Sequence, residues 1–552
     1  MQDTLSLIPL GGVGNVTKNM YIYEYKDQIL LVDCGLGFAD ETMLGVDLLM
    51  PDISYLLKTQ KKIVGMLITH GHEDHMGALP FILPQLPEFP IFATPLTAAF
   101  ANGKLKEFGI TRKVQTIEFG PKQEVKIGVF SAYFMRVTHS VPDTSHIFIK
   151  TPVGNIYHGS DFKFDLTPAD GKKTDFAEIV AAGNAGVLAM LSDSLGAERE
   201  GQTPSEEKLA ESFDREMARC KGKMIITTYS SNISRLNQAI WAAQKYHKQV
   251  CFVGRSLIKN IEIAKQLGLI VMPKGMEVRI DQLRKIKDTN VVLFVAGSQG
   301  QENSAMTRIA NGQHKDITLR PQDSVIFSSD PIPGNEVMVN SLVDTIARVG
   351  ARVMYTDISR EFHVSGHGSA QELMLLMSLV RPQFVVPIGG TYKQMVAYKG
   401  LARRQGFADR QIMLLDNGQE MVLGQNQAHL GQRYPVRNVY VDQISGEEVE
   451  SFVLRDRQKI SSDGIIVLMA EIDSETGGLL SDPDIITRGF STADAQEAKK
   501  ILLRELKKTL VPQSKKSQNW AYLRKIITDV SEKALNKELK RKPLILPAII
   551  EL

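Results

Sequence analysis

Cysteine is nearly missing from this chain: Cys34, Cys220 and Cys251 stand far apart in 552 residues, with no CxxC pair. That excludes a disulfide framework and a thiolate metal site, and it fits a reducing cytoplasm. All three thiols are expected to be buried and structural. No apolar run reaches the roughly 20 residues that span a bilayer, so no membrane segment is expected. The start, Met1-Gln2-Asp3-Thr4, lacks a charged stretch followed by an apolar core, and no secretory signal is expected there. Net charge is only +3, so any basic surface that attracts polyanions must be local. Internal repeats and low-complexity segments do not stand out. What remains, 43% hydrophobic and 23% charged residues, describes a globular chain with room for roughly three or four domains.

Histidine is scarce too, yet three of the eleven fall in Thr69-His70-Gly71-His72-Glu73-Asp74-His75-Met76-Gly77. The apolar run Ile63–Ile68 before them reads as a buried strand. A turn after a strand can aim several imidazoles and a carboxylate at one point. That donor set suits Zn²⁺ or Mn²⁺. Two further candidates also end strands: His139 in Val137-Thr138-His139-Ser140 and Asp161 in Gly159-Ser160-Asp161-Phe162. Asp33, at the end of Ile29–Asp33, is a turn residue placed to orient a ligating histidine from behind. Gly11-Gly12-Val13-Gly14 lacks the GxGxxG spacing and is followed by a strand, so it reads as a tight turn rather than a dinucleotide site.

Residues 1–165 are rich in short strands, whereas from about 205 helices alternate with short apolar strands, the pattern of a parallel sheet covered on both faces. Its strand ends carry Tyr229-Ser230-Ser231-Asn232, Gly297-Ser298-Gln299-Gly300 and Ser328–Glu336. Glycine and serine before helices offer backbone N–H groups to an anion such as phosphate. His363-Val364-Ser365-Gly366-His367 closes this region. The last hundred residues contain the strand Gly464–Met469, a helix over Ala493–Leu510, and a basic stretch, Lys515–Lys542, with Trp520 and Tyr522 interleaved. That stretch reads as a solvated helix face in an oligomerisation domain rather than an RNA contact.

HxHxDH followed by His139 and Asp161 resembles the metallo-β-lactamase fold. The insertion resembles the β-CASP domain of nucleic-acid-processing members, and more narrowly the ribonuclease J family. The likeness rests on Gly11-Gly12-Val13-Gly14 with Lys18-Asn19, Leu44-Gly45-Val46-Asp47, Ser192-Asp193-Ser194, Thr203-Pro204-Ser205-Glu206, Ser231–Arg235, Gly297–Gly300, Pro331–Glu336, His363–His367, and Leu454–Arg457 with Asp484–Phe490. It runs nearly end to end. It implies an α/β chain: an αββα sandwich at 1–204 and 368–445, a parallel-sheet insertion at 205–367, a linker at 446–455, and a small α/β dimerisation domain at 456–552.

The resemblance also implies two Zn²⁺ per chain, with Mn²⁺ or Mg²⁺ as alternatives. His70, His72 and His139 would hold one ion and Asp74, His75 and Asp161 the other, with Asp161 bridging. The implied reaction is hydrolysis of single-stranded RNA, internally and from 5′-monophosphate ends. Asp74 would orient or deprotonate the water and a protonated His367 would serve the leaving oxygen. His363, Ser365, Gly366 and the loop of Gly297, Ser298 and Gln299 would receive the terminal phosphate. Partners implied are a homodimer or homotetramer through the C-terminal domain, or a paralogous ribonuclease J subunit. One departure stands out. The family's last ligand, a histidine in Pro-x-His-Gly-Glu, is replaced in Pro387-Ile388-Gly389-Gly390-Thr391 by Gly389. That weakens the second ion site and opens an alternative, a weak or inactive RNA-binding homologue that supports an active partner. A small-molecule hydrolase needs no parallel-sheet insertion, and 205–367 argues against it.

Overall fold

A computed structural model describes residues 3–39, 43–46, 48–332, 334–356, 358, 360–442, 448–474, 476–511 and 520–552. The chain forms two compact units, 1–38 with 48–439, and 39–47 with 440–552.

In the first unit, two sheets lie face to face. One is eight-stranded and runs Gln427–Arg433, Gln419–Gly424, Leu5–Gly11, Met20–Tyr25, Gln28–Val32, Lys62–Ile68, Ile91–Ala93, Val114–Thr116 in spatial order. The other is six-stranded: Val125–Ile127, Phe130–Arg136, Ser145–Lys150, Asn155–His158, Ala189–Asp193, Phe384–Ile388. Alternation along each strand assigns the faces. Ile147, Ile149, Ile156, Leu191 and Val386 pack against Leu7, Tyr23, Leu30, Val32 and Leu67 of the opposite sheet. Their neighbours Phe148, Tyr157, Met190 and Val385 turn outward, beneath Leu373, Leu376 and Met377 of helix Ala370–Val380 and Tyr398 of helix Tyr392–Arg404.

Strand Ala189–Asp193 precedes the insertion and Phe384–Ile388 follows it, and the two pair in parallel. Between them a five-stranded parallel sheet runs Gln249–Val253, Val291–Val295, Met224–Thr227, Ser324–Phe327, Arg352–Met354. The polar loops at 229–232 and 297–300, and the described residues 328–332 and 334–336, therefore leave its carboxyl edge, where open parallel sheets place ligands.

In the second unit, strands Asp484–Arg488, Ile465–Ile472 and Leu544–Glu551 form a sheet in that order. Ile466, Leu468, Ala470 and Ile472 pack with Ile501, Leu502 and Leu506 of helix Thr492–Thr509 and with Leu523 and Ile527 of helix Trp520–Glu538. Helix Ser451–Asp463 begins inside the segment expected to be a linker. Residues 515–519 of the basic stretch lie outside the described residues. Cys34 and Cys251 are buried as expected. Cys220 is half-buried instead, because it follows helix Lys208–Arg219 as its C-cap and lies at the surface end of that helix. Among the described residues, no helix is long and apolar enough to cross a membrane.

Candidate metal centre

The centre is built from strand ends. Strand Lys62–Ile68 stops at Thr69, whose backbone N–H donates to Asp33 Oδ1 at 2.8 Å. Asp33 reaches back because it sits at φ 62°, a conformation an aspartate tolerates. His72 then caps the short helix Glu73–Met76, which carries Asp74 and His75. Strands Phe130–Arg136 and Asn155–His158 both end earlier than expected, so His139 and Asp161 lie in the loops that follow rather than at strand termini.

Three donor groups result: His70, His72, His139 and Asp161; Asp74, His75 and Asp161; and Asp161, Asp193 and His367. In the first, His72 Nδ1 is 3.2 Å from His70 Nε2 and 3.1 Å from His139 Nε2. Asp161 Oδ2 is 3.7 and 3.8 Å from the Nε2 atoms of His70 and His139. In the second, His75 Nε2 is 3.6 Å from Asp74 and 3.4 Å from Asp161. Donors about 2.05 Å from a shared tetrahedral ion stand about 3.3 Å apart. The spacing fits cations.

Hydrogen bonds on the outer side of each ring fix the tautomers. His75 Nδ1–H donates to Asp33 Oδ2 (2.7 Å), and His139 Nδ1–H to the Gly366 carbonyl (2.7 Å). The Thr69 hydroxyl donates to Asp33 (2.9 Å) and so accepts from His70 Nδ1–H (3.0 Å). His72 is turned the other way: its Nε2–H donates to Ser140 Oγ at 3.1 Å, which leaves Nδ1 inward. His367 Nδ1–H donates to Asp193 Oδ2 at 2.7 Å. In each neutral ring the inward nitrogen thus presents its lone pair, the arrangement expected when second partners orient metal-ligating imidazoles.

Charge follows burial. Burial holds His70 and His139 well below the ordinary histidine range and His72 down at about 3, all neutral and able to ligate. His75 and His367 are also pulled down by burial, but neighbouring carboxylates outweigh it and raise both. Burial raises Asp74 to about 6. Asp161 lies well below the usual carboxylate range, because His75 and His367 overcome its burial.

Gly366 is where backbone must come close. A Cβ there would stand 2.7 Å from His139 Cε1. Gly366→Ala is expected to displace that ring and weaken cation binding about 10- to 100-fold, in the range of outer-partner losses. Competition with a chromophoric chelator measures it, and unchanged affinity would mean the loop yields at no cost.

The phosphate candidates divide. His363 accepts from Arg235 Nη1 at Nδ1 (3.0 Å) and faces Asp330 through Nε2 (3.2 Å). Burial, with Arg235 alongside, brings it down to about 3. Ser365 Oγ accepts from the His367 N–H. Gln299 is turned to another use: its amide donates to Tyr229 and the Asp330 carbonyl and accepts from the Ile332 N–H, locking the loops together. Ser298 is buried, and Gly297 sits at φ 108° against Ser304. His146 and His158 lie outside all three groups, bonded to Tyr157 and Tyr23. Sequence reasoning misses Asp193 as a site residue. Its signal is an acid ending an apolar strand, as at Asp33. Asn19 is missed too; its amide nitrogen lies 3.1 Å from His75 Nε2.

Two facing sheets with a histidine–aspartate cluster at their strand ends define a metallo-β-lactamase-fold hydrolase. Residues 13–185 match the metallo-beta-lactamase superfamily, residues 221–346 "Ribonuclease J, beta-CASP domain", and residues 452–552 "Ribonuclease J C-terminal domain". The chain is 34% identical to Ribonuclease J2 of Bacillus subtilis strain 168, covering 100% of this chain and 99% of that one. It is 36% identical to Ribonuclease J 1 of Streptococcus pyogenes serotype M3 (99% and 98%) and to Ribonuclease J of Thermus thermophilus (100% and 96%). A solved structure of a protein of unknown function from Enterococcus faecalis V583 shares the fold at 16% identity, with a TM-score of 0.56 over 76% of this chain and 100% of that one. The chain belongs to the ribonuclease J family. It is a ribonuclease of the metallo-β-lactamase superfamily, with a donor set suited to a divalent metal.

Proposed function

We propose that the protein hydrolyses single-stranded RNA with Zn²⁺ in the first two donor groups, as a 5′-to-3′ exonuclease preferring 5′-monophosphate ends and as an endonuclease. The observation that carries this is Asp161, a single carboxylate shared by both groups, beside the His367–Asp193 pair. When bound, the cations activate water at neutral pH and offset phosphoryl charge. Mn²⁺ or Mg²⁺ in place of Zn²⁺ leaves the assignment of the residues unchanged.

The chain's own groups do the rest. Asp74, with its carboxyl raised by burial, orients the attacking water and takes its proton. His367, raised by Asp193 and Asp161 against burial, gives a proton to the leaving 3′-oxygen. Ser365, the Gly366 backbone and His363 receive the terminal phosphate, with the backbone of Gly297 and Ser298 beside them. Single-stranded RNA runs between the sandwich (1–204, 368–445) and the insertion (205–367), where phosphate contacts and base stacking hold it. The test is cleavage of matched RNAs bearing 5′-monophosphate, 5′-triphosphate or 5′-hydroxyl ends. Equal rates on all three would remove the terminal-phosphate reading.

Gly389 favours a second reading, a weakly active subunit that binds RNA and supports an active family member. Purified protein that binds RNA but stays inert with added Zn²⁺ or Mn²⁺ would select it.

The C-terminal unit, taken as 456–552, pairs copies of the chain in this proposal. The outer face of its sheet aligns Val467 with Leu546 and Ile486, and Leu546 and Ile550 are 45% and 47% exposed. Leu546→Asp is expected to turn a dimer into monomer in sedimentation at micromolar concentration. An unchanged dimer would move the interface elsewhere.

A further inference from the structure

The third donor group shares Asp161 with the two ion sites above and adds Asp193 and His367, which those sites do not use. His367 has its Nδ1–H committed to Asp193, so Nε2 faces inward, 3.9 Å from Asp161 Oδ2. That spacing is too long for a hydrogen bond but within reach of two ligands on one ion. Asp193 is fully buried and Asp161 is 5% exposed. Between them stands Gly389, held at φ 63° with its N–H donating to the Gly12 carbonyl. A Cβ built there would meet only Asp161 Oδ1 at 3.6 Å and Asp193 Oδ1 at 3.7 Å. Two buried carboxylates thus border a space that no side chain fills. Buried carboxylates facing one another need a cation or a proton between them.

We propose that Asp161, Asp193 and His367 form a third, weaker divalent-cation site, opened by glycine at 389, and that an ion there holds His367 Nε2 away from the leaving oxygen. Two oxygens and one imidazole suit Mn²⁺ or Zn²⁺. The position is self-limiting for the enzyme. An ion on His367 removes the proton donor, so excess divalent metal slows the reaction that lower concentrations support. The inference rests on the ribonuclease reading only for that consequence, since the site itself is defined by binding.

The test is equilibrium titration of the metal-free full-length protein with Mn²⁺, followed by electron paramagnetic resonance and calorimetry. Wild-type protein should show a weak class of bound Mn²⁺ beyond the tight ones. Asp193→Asn and His367→Gln should each weaken that class about tenfold or more, in the range found when a group holding a metal is altered. Gly389→Leu, which fills the space without supplying a donor, should remove it. His72→Ala should leave the weak class in place while lowering the tight one. A wild-type titration with no weak class would overturn the proposal, as would a weak class that survives both Asp193→Asn and Gly389→Leu. Loss of RNA cleavage with the weak class intact would instead count against the proposed function.

Discussion

Asp161→Asn is expected to lower RNA cleavage by about a thousandfold or more, as for groups on which the whole reaction depends. No other side chain belongs to all three donor groups. Its Oδ2 lies 3.4 to 3.9 Å from imidazole nitrogens of His75, His70, His139 and His367, so asparagine removes the charge around which they gather while keeping the shape. The fold should survive, because the residue sits at the rim of the sandwich rather than in the apolar contact between its sheets. Elemental analysis should show fewer cations per chain, and circular dichroism unchanged secondary structure. Retained turnover with fewer cations would separate chemistry from the metals and remove the central claim.

Much of this centre is legible in the sequence because several of its donors follow apolar strands within three residues. An apolar run that stops at a histidine or an acid names both the strand and the residue that leaves it. His70, His139, Asp161 and Asp33 stand out that way, and helix Glu336–Arg348 and strand Val291–Val295 fall where periodicity puts them. Pairings across the fold are not legible. His367 and Asp193 are 174 positions apart, and no local pattern joins them. His72 turns its Nδ1 inward only because Ser140 waits for Nε2, a contact made by a loop from another strand. Gln299 looks like a phosphate ligand because glycine and serine surround it. Its amide instead bridges Tyr229, Asp330 and Ile332, which only the folded sheet brings together. Helix Ser451–Asp463 reads as a linker in its first turn, since a charged and mixed stretch shows no face until its partners are known.

The same limit hides Arg235, and the second large effect is expected there. Its guanidinium is 1% exposed. It donates to the carbonyls of Ser328 (2.6 Å) and Val364 (3.0 Å), to His363 Nδ1 (3.0 Å) and to Glu206 Oε1 (2.8 Å). Glu206 in turn lies 3.3 Å from Lys163, two residues beyond Asp161. One side chain thereby ties the loop that leads to His367 to the segment that carries a shared carboxylate. Arg235→Met keeps bulk but leaves Glu206 buried with one cation instead of two. Removing one partner of a buried pair costs about 3–5 kcal/mol, read as an earlier thermal transition and faster proteolysis of the first unit. The pH dependence gives a sharper sign. Burial alone would raise the Glu206 carboxyl, but Arg235 and Lys163 hold it below the usual range. A depressed carboxylate stabilises the fold above its unfolded value, about 4.3, and loses that contribution as pH falls through the folded one. Without Arg235 burial wins, the folded value rises, and the ionised carboxylate becomes a liability at neutral pH. The gap between wild type and variant should therefore be widest near pH 7, shrink as pH falls below the unfolded value of about 4.3, and close once pH passes the depressed folded value and Glu206 is protonated throughout. Arg235→Lys should recover part of the charge but not the fork that reaches Ser328, Val364 and Glu206 together. Coincident melting of Arg235→Met and wild type across that range would show that the network is bystander packing, and that the His363–His367 loop is held by something else.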